Sequence, residues 1–207
     1  MTLVAVSKGV PASRLAAAVE VGLDVLGENR VQEAAGKIAA LPGATWHMVG
    51  RLQDNKVARA VELFATVQSV DSLGLARRLD RAAAASGRST RYPVFLQVNI
   101  DGDPAKAGFT PEALAEGLHS LATLESLDLR GLMTIGRMAE RPEAARATFA
   151  RLRLLSERLR DRDGRLGAGL SMGMSDDFEV AVEEGATVVR IGRALFGARP
   201  PVPVGRP

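Results

Sequence analysis

Pro93-Val94-Phe95-Leu96-Gln97-Val98 is an almost unbroken apolar run, and Thr187-Val188-Val189-Arg190-Ile191 repeats the pattern near the end of the chain. Continuous β-branched runs of this length suit parallel strands covered on both faces, not strands with one wet face. Working outward, similar short segments recur at residues 3–7, 23–27, 45–49, 65–70, 128–133 and 168–172, which makes eight strand candidates. Helical periodicity separates them. Thr110-Pro111-Glu112 supplies an N-cap, a proline at the first helical position and a carboxylate in the first turn. Ser175, ahead of Asp176 and Asp177, predicts a second N-cap, with Gly185 as the glycine that ends that helix. Phe149, Leu152, Leu155 and Leu159 share one helical face within 142–163, enough for a full crossover helix.

Eight strands alternating with helices in 207 residues predict an α/β chain, a single (β/α)8 barrel of the TIM type near the lower size limit of that fold. An open doubly wound sheet is the competitor, and the strand count decides for the barrel. The barrel is expected over residues 1–197. The tail 198–207, Ala-Arg-Pro-Pro-Val-Pro-Val-Gly-Arg-Pro, is too rich in proline to pack regularly and is expected to be a mobile end.

Composition excludes several classes of function. With aromatics at 4%, the core must be built from Val, Leu, Ala and Ile. No apolar run is long enough to span a bilayer, and the opening apolar stretch stops at Lys8, too early for a signal peptide. The cytoplasm is the expected location. The absence of cysteine removes disulfides, thiolate catalysis and Cys-zinc sites. A net charge of +3 raises the question of nucleic acid. The arginines, however, alternate with acids, as in Arg151, Arg153, Glu157, Arg158, Arg160 and Asp161, which is the pattern of a solvated helix face. No nucleic-acid or membrane partner is expected.

A barrel of this type carries its active site at the C-terminal ends of its strands. Those ends hold Lys8, Glu28-Asn29, His47 to Gly50, Ser69, Asn99, Met133-Thr134, Ser171 to Ser175 and Arg190 to Arg193. Lys8 is well placed for imine chemistry with an aldehyde if its amine loses its proton, which desolvation favours. It reads equally as a solvated strand-end lysine. Ser175 with the backbone of Gly173 to Asp176 suits an anion, although simple capping is the plainer role. Gly192 allows close approach to a phosphate, and phosphate sites in these barrels often use the loops after strands seven and eight. Arg190, among Val188, Val189 and Ile191, is costly unless partnered, by a ligand or by an internal ion pair. His47 ends strand three as a packing or hydrogen-bonding residue, whereas His119 has the spacing of a surface position. Two histidines with no HxH or HExxH pattern predict no metal site. Asn99 and Met133 read as strand-end residues whose plainest roles are capping and packing.

In order along the chain, Ala5-Val6-Ser7-Lys8, residues 27–33 (GENRVQE), residues 47–56 (HMVGRLQDNK), Val67-Gln68-Ser69-Val70-Asp71, Gln97-Val98-Asn99, Lys106-Ala107-Gly108-Phe109, residues 131–135 (GLMTI), residues 171–178 (SMGMSDDF) and Val189-Arg190-Ile191-Gly192 resemble the pyridoxal phosphate homeostasis protein family. The resemblance spans nearly the whole chain. It implies a barrel like the cofactor domain of alanine racemase, with pyridoxal 5′-phosphate (PLP) held as a Schiff base on Lys8. It further implies a phosphate near Ser171, Ser175, Gly192 and Arg193, and a pyridine nitrogen facing Arg190. Asn29, His47, Asn99 and Met133 are the further cofactor-binding candidates, and no catalytic residue is expected. An arginine at the ring nitrogen keeps it unprotonated and weakens the cofactor as an electron sink. The implied role is that of a carrier or regulator of the vitamin B6 pool, without an established reaction, in a monomer; PLP-dependent apo-enzymes are candidate partners, with direct transfer of the cofactor to them left open. Three departures are visible: Arg193 stands where the family often has threonine, the loop Asp101 to Lys106 lacks the usual acidic pair, and a helix normally preceding the first strand is expected to be missing.

Two enzymatic alternatives stand beside this. An amino-acid racemase or decarboxylase of the alanine racemase type needs acid–base groups on both faces of the cofactor, and the sole tyrosine, Tyr92, precedes strand five at the wrong end. A Schiff-base aldolase acting on a sugar phosphate would use Lys8 without any bound cofactor.

Overall fold

The computed structural model describes residues 1–136 and 141–197. Strands and helices alternate as expected: β1 (Thr2–Val6), α1 (Ala12–Glu20), β2 (Val25–Glu28), α2 (Val31–Ala40), β3 (Thr45–Met48), α3 (Val57–Leu63), β4 (Thr66–Val70), α4 (Leu73–Ala85), β5 (Tyr92–Gln97), α5 (Pro111–Ala122), β6 (Leu127–Met133), α6 (Arg146–Arg162), β7 (Gly169–Ser171), α7 (Phe178–Glu183), β8 (Val188–Ile191) and α8 (Arg193–Phe196). The eight strands pair in sequence order and in parallel, and β8 returns to β1 to close the barrel. The open sheet is thereby excluded. The expected tail, 198–207, lies outside the described residues.

Strand pleating sorts side chains into two layers. Ala5, Leu26, Trp46, Val67, Val94, Leu96, Leu132, Leu170 and Ile191 face the helices and belong to the larger apolar core. Their neighbours Val4, Phe95, Met133 and Val188, with Val49, form a separate small cluster in the lumen. The apolar stripe on α6 meets the outer layer through Phe149, Leu152, Leu155 and Leu159, all buried. Its opposite face is ionic: Arg146 pairs with Glu143, Glu183 and Glu184, and Arg153 with Glu157 and Glu184. That is the solvated face expected from composition.

Two local signals behave differently. The Thr110 hydroxyl accepts the Ala113 N–H at 3.1 Å and caps α5, as its sequence predicts. Ser175 does not cap α7. That helix starts later, at Phe178, because the Asp177 carboxylate first accepts the Met174 N–H at 2.6 Å and holds residues 174–177 in a turn. The Ser175 hydroxyl instead accepts the N–H groups of Gly192 (3.3 Å) and Ala194 (3.2 Å), capping α8 from across the loop. Gly185 does end α7, with φ +92°.

Gly131 is the tightest point of the sheet. The β5–β6 register shifts between Val94 and Phe95, and Gly131 adopts φ +147° there. A Cβ at this position would lie 1.9 Å from the Gly169 carbonyl oxygen on β7. Replacing Gly131 with alanine is expected to destabilise the fold by roughly 2–4 kcal/mol, from backbone strain and overpacking together. Gly117→Ala on α5, where no atom obstructs a Cβ, is the control and should stabilise by roughly 0.5–1 kcal/mol. Urea unfolding of both variants measures the contrast.

Candidate functional site

Closure of the barrel gathers the C-terminal strand ends at one mouth. Val4 and Val6 take the inward positions of β1, Ala5 and Ser7 the outward ones, and Lys8 follows in the turn just past the strand. Neighbouring β8 is in register with β1 through Ala5 and Ile191. The Gly192 backbone therefore abuts Val6: a Cβ on Gly192 would sit 3.4 Å from the Val6 carbonyl oxygen. Lys8 and the Ser175–Gly192 corner thus share one side of the mouth. Both N–H groups are taken by the Ser175 oxygen, whose own O–H proton is left to donate into the corner.

A chain of buried polar side chains crosses the lumen. The Arg190 guanidinium donates to the Ser171 hydroxyl (2.7 Å) and to the Thr134 carbonyl (2.8 Å). Ser171 in turn donates to Gln68 Oε1 at 2.6 Å, bridging β7 and β4. The Gln68 amide lies 2.8 Å from His47 Nδ1. An arginine has donors only, so the Ser171 hydroxyl must turn its proton towards Gln68. The Gln68 oxygen then accepts and its NH2 donates, so His47 Nδ1 is the acceptor. A neutral imidazole with an accepting Nδ1 carries its proton on Nε2. Burial agrees, pushing His47 down to about 4.

Arg190 is 5% exposed, yet among the described residues no carboxylate lies within ion-pair distance of it. Burial lowers its pKa to about 10, while the charge of Asp177 acts in the opposite direction. It remains a cation at neutral pH. The Asp177 carboxyl is itself raised by burial, against the pull of the Met174 N–H and of Arg190. In place of the internal ion pair that stood as one alternative for Arg190, the structure gives it two neutral oxygens and a more distant charge.

The other candidates occupy the wall and rim. Met133 is fully buried in the lumen cluster. Asn29 lines a cavity of about 360 Å³ between β2 and β3, together with Arg30, Met48, Gly50, Arg51 and Lys56. Asn99 lies two residues beyond β5, which ends at Gln97. Its amide holds the following loop, donating to the carbonyls of Asp103 (2.8 Å) and Lys106 (3.2 Å) and accepting the Asp103 N–H (3.0 Å). It borders a groove of about 800 Å³ towards α6, lined by neither Lys8 nor Arg190. The Arg193 guanidinium turns to Asp176 in an exposed ion pair. His119 is exposed on α5. Among the described residues no group of three or more His, Cys, Asp or Glu side chains is placed to hold a metal ion, and no helix is long and apolar enough to cross a membrane.

Gln68 is the residue that sequence reasoning missed. Its signal was present as an amide in the middle of Thr66-Val67-Gln68-Ser69-Val70, a strand buried at every position. Buried amides require partners, but the partners come from β3 and β7. Truncating this link by Gln68→Leu leaves Ser171 and His47 without a bond each and is expected to cost about 1–3 kcal/mol. In wild-type protein, ¹⁵N NMR should show His47 Nδ1 unprotonated and Nε2 protonated down to about pH 5. Between pH 6.5 and about 4 the unfolded chain binds the extra proton, so stability falls as pH falls through that window. Charging the buried ring costs the folded state roughly 3 kcal/mol once the pH lies below that window.

Comparison with known proteins adds a family to this geometry. Residues 2–200 match the family described as alanine racemase, N-terminal domain. Proteins named pyridoxal phosphate homeostasis protein are 46% identical over 199 residues in Pseudomonas aeruginosa (95% of this chain, 84% of the relative) and 41% identical over 199 residues in Aquifex aeolicus (95% and 86%). PipY of Synechococcus elongatus PCC7942, solved with PLP bound, superposes with a TM-score of 0.88 at 41% identity, covering 95% of this chain and 92% of PipY. An alanine racemase of Clostridium difficile 630 shares the fold, with a TM-score of 0.79 at 20% identity over 97% of this chain and 53% of its own length.

Proposed function

We infer the function from one premise: the chain belongs to the alanine racemase N-terminal domain family, among its pyridoxal phosphate homeostasis proteins. It binds PLP in the barrel mouth and serves vitamin B6 homeostasis as a holder of the cofactor, not as an enzyme. The observation that carries this is the pairing of β1 with β8, which sets Lys8 beside the Ser175–Gly192 corner, with the Arg190 cation in the lumen between the strand ends.

The residues present fit such a group. The Ser175 hydroxyl, which accepts two backbone N–H groups and keeps its own proton to donate, suits a phosphate beside the side-chain-free Gly192. A buried guanidinium that meets no carboxylate among the described residues suits a ring nitrogen that stays unprotonated. When bound, the cofactor supplies an aldehyde carbon that a lysine amine attacks with release of one water, and a pyridine ring that can draw electrons. Lys8 is the attachment point. Ser175 and Gly192 hold the phosphate, with Arg193 contributing charge at the rim. Ser171 acts through Arg190, which it orients together with the Thr134 carbonyl. His47, Asn29, Asn99 and Met133 shape the wall and rim.

Proton movement at the substrate carbon needs a second acid–base group. Tyr92 opens β5 at the end opposite the mouth, fully buried, with its hydroxyl donating to the Phe64 carbonyl at 3.0 Å. It is occupied there, which supports a holder over a racemase. A cytoplasmic monomer that passes PLP to apo-enzymes completes the proposal.

Purified protein titrated with PLP should develop a visible absorption band, and borohydride reduction should fix the adduct on Lys8 in peptide mass spectra. Lys8→Ala should lose both signals, and an unchanged band in that variant would overturn the assignment. Loaded protein incubated with alanine in deuterated water should exchange the α-hydrogen slowly or not at all; exchange at the pace of catalytic turnover would establish the racemase reading instead.

A further inference from the structure

We propose that the ion cluster Glu28–Lys37–Glu33 positions Lys8 by gripping the chain on both sides of it, with Lys37 as the positioning residue. This rests on Lys8 being the attachment point. The cluster lies on the outer side of the barrel rim, where Ser7, just past β1, and Glu28 at the end of β2 meet Glu33 and Lys37 of α2.

The geometry is specific to the two residues flanking Lys8. The Lys37 ammonium donates to the Ser7 carbonyl (2.7 Å), to Glu28 Oε1 (2.6 Å) and to Glu33 Oε1 (2.7 Å). An ammonium has three donors, so all are spent. The Ser7 hydroxyl donates to the same Glu28 oxygen at 2.6 Å. On the other side, the Gly9 N–H donates to Glu33 Oε1 at 2.7 Å. Gly9 has φ +73°, so the chain turns sharply directly after Lys8. The residue before Lys8 is thus held by its carbonyl and hydroxyl, the residue after it by its N–H, and these three bonds end on one lysine and its two carboxylates; the Gly27 carbonyl is a second acceptor for the Ser7 hydroxyl (3.0 Å), and the Val10 N–H closes the turn onto the Ser7 carbonyl (2.9 Å). The cluster fixes the backbone from which the Lys8 stem departs.

The energetics favour positioning over plain stabilisation. Glu28 is completely buried, and its second carboxylate oxygen has no hydrogen-bond partner among the described residues. Burying a charged pair is an inefficient way to hold a helix on a sheet, since well-packed apolar side chains do so as well or better. What apolar side chains lack is the ability to bind a carbonyl and an N–H two residues apart. Covalent attachment, in which the Lys8 nitrogen bonds to the aldehyde carbon and one water leaves, is sensitive to placement in a way that ring and phosphate binding is not.

Two ligands separate these contributions. PLP reports attachment together with ring and phosphate binding. Pyridoxine 5′-phosphate has an alcohol in place of the aldehyde, makes no bond to Lys8 and reports ring and phosphate binding alone. The cofactor-free full chain is titrated with both, as wild type, Lys37→Met, Lys37→Arg and Glu33→Ala. Lys37→Met and Glu33→Ala are expected to raise the Kd for PLP by about tenfold or more and to leave that for the alcohol within about twofold. Lys37→Arg should restore part of the loss. Should Lys37→Met fail to fold, Glu33→Ala still decides, because that carboxylate is partly exposed (31%) and its loss removes the Gly9 bond. An unchanged PLP affinity in folded variants overturns the proposal, as does a parallel loss of affinity for both ligands. A wild type that binds both ligands equally well removes the Lys8 assignment itself, and the proposal with it.

Discussion

The contact on which everything else depends is the pairing of β1 with β8. Thr2, Leu3, Val4 and Ala5 lie opposite Val188, Val189, Arg190 and Ile191, and the Thr2 N–H reaches the Thr187 carbonyl at 2.7 Å. An open parallel sheet would leave two rows of unpaired backbone groups; closure leaves none and forces every strand into one pleat alternation. The outward residues are then committed to the helices and the inward ones to a lumen only a few side chains wide. The same pairing brings the second residue before Lys8 against Gly192. Chemistry located at opposite ends of the chain therefore meets because the barrel closes.

The lumen is where the fold accepts cost. A guanidinium, a hydroxyl, a carboxamide and an imidazole replace apolar side chains on β8, β7, β4 and β3, and each must be satisfied internally. They are satisfied in one direction only, because the arginine has no acceptor. Polarity imposed at Arg190 fixes the orientation of each following group as far as His47. Such a chain is rigid, since no member can turn without leaving a neighbour unpaired. A second cluster, around Lys37 on the outer side of the rim, obeys the same rule with full charges. Between them the mouth is held from inside and outside.

The strand pattern was legible because burial on both faces leaves a continuous apolar run, and eight such runs were found where eight strands lie. Boundaries were less sharp. β2 begins at Val25 and β5 ends at Gln97, within two residues of the apolar limits, since backbone pairing and not hydrophobicity decides where a ladder stops. The cap at Thr110 was readable because its bond is local, three residues along the chain. Ser175 had the right chemistry for a cap, but its donors lie 17 and 19 residues away. Asn99 was noticed as polar at a strand end, and only the structure commits its amide to the loop that follows.

By itself, then, the sequence determined the eightfold alternation of strand and helix, the apolar outer layer and the identity of the polar residues at the strand ends, because these follow from periodicity and side-chain type. Tertiary structure decided which of those residues meet. The bond from Ser171 to Gln68 spans 103 positions of sequence, and the grip on Ser7 comes from Lys37, 30 positions further along on α2. Hydrogen bonds are directional and reach only about 3 Å. Their partners are therefore set by the closed geometry of the barrel, which no local pattern encodes.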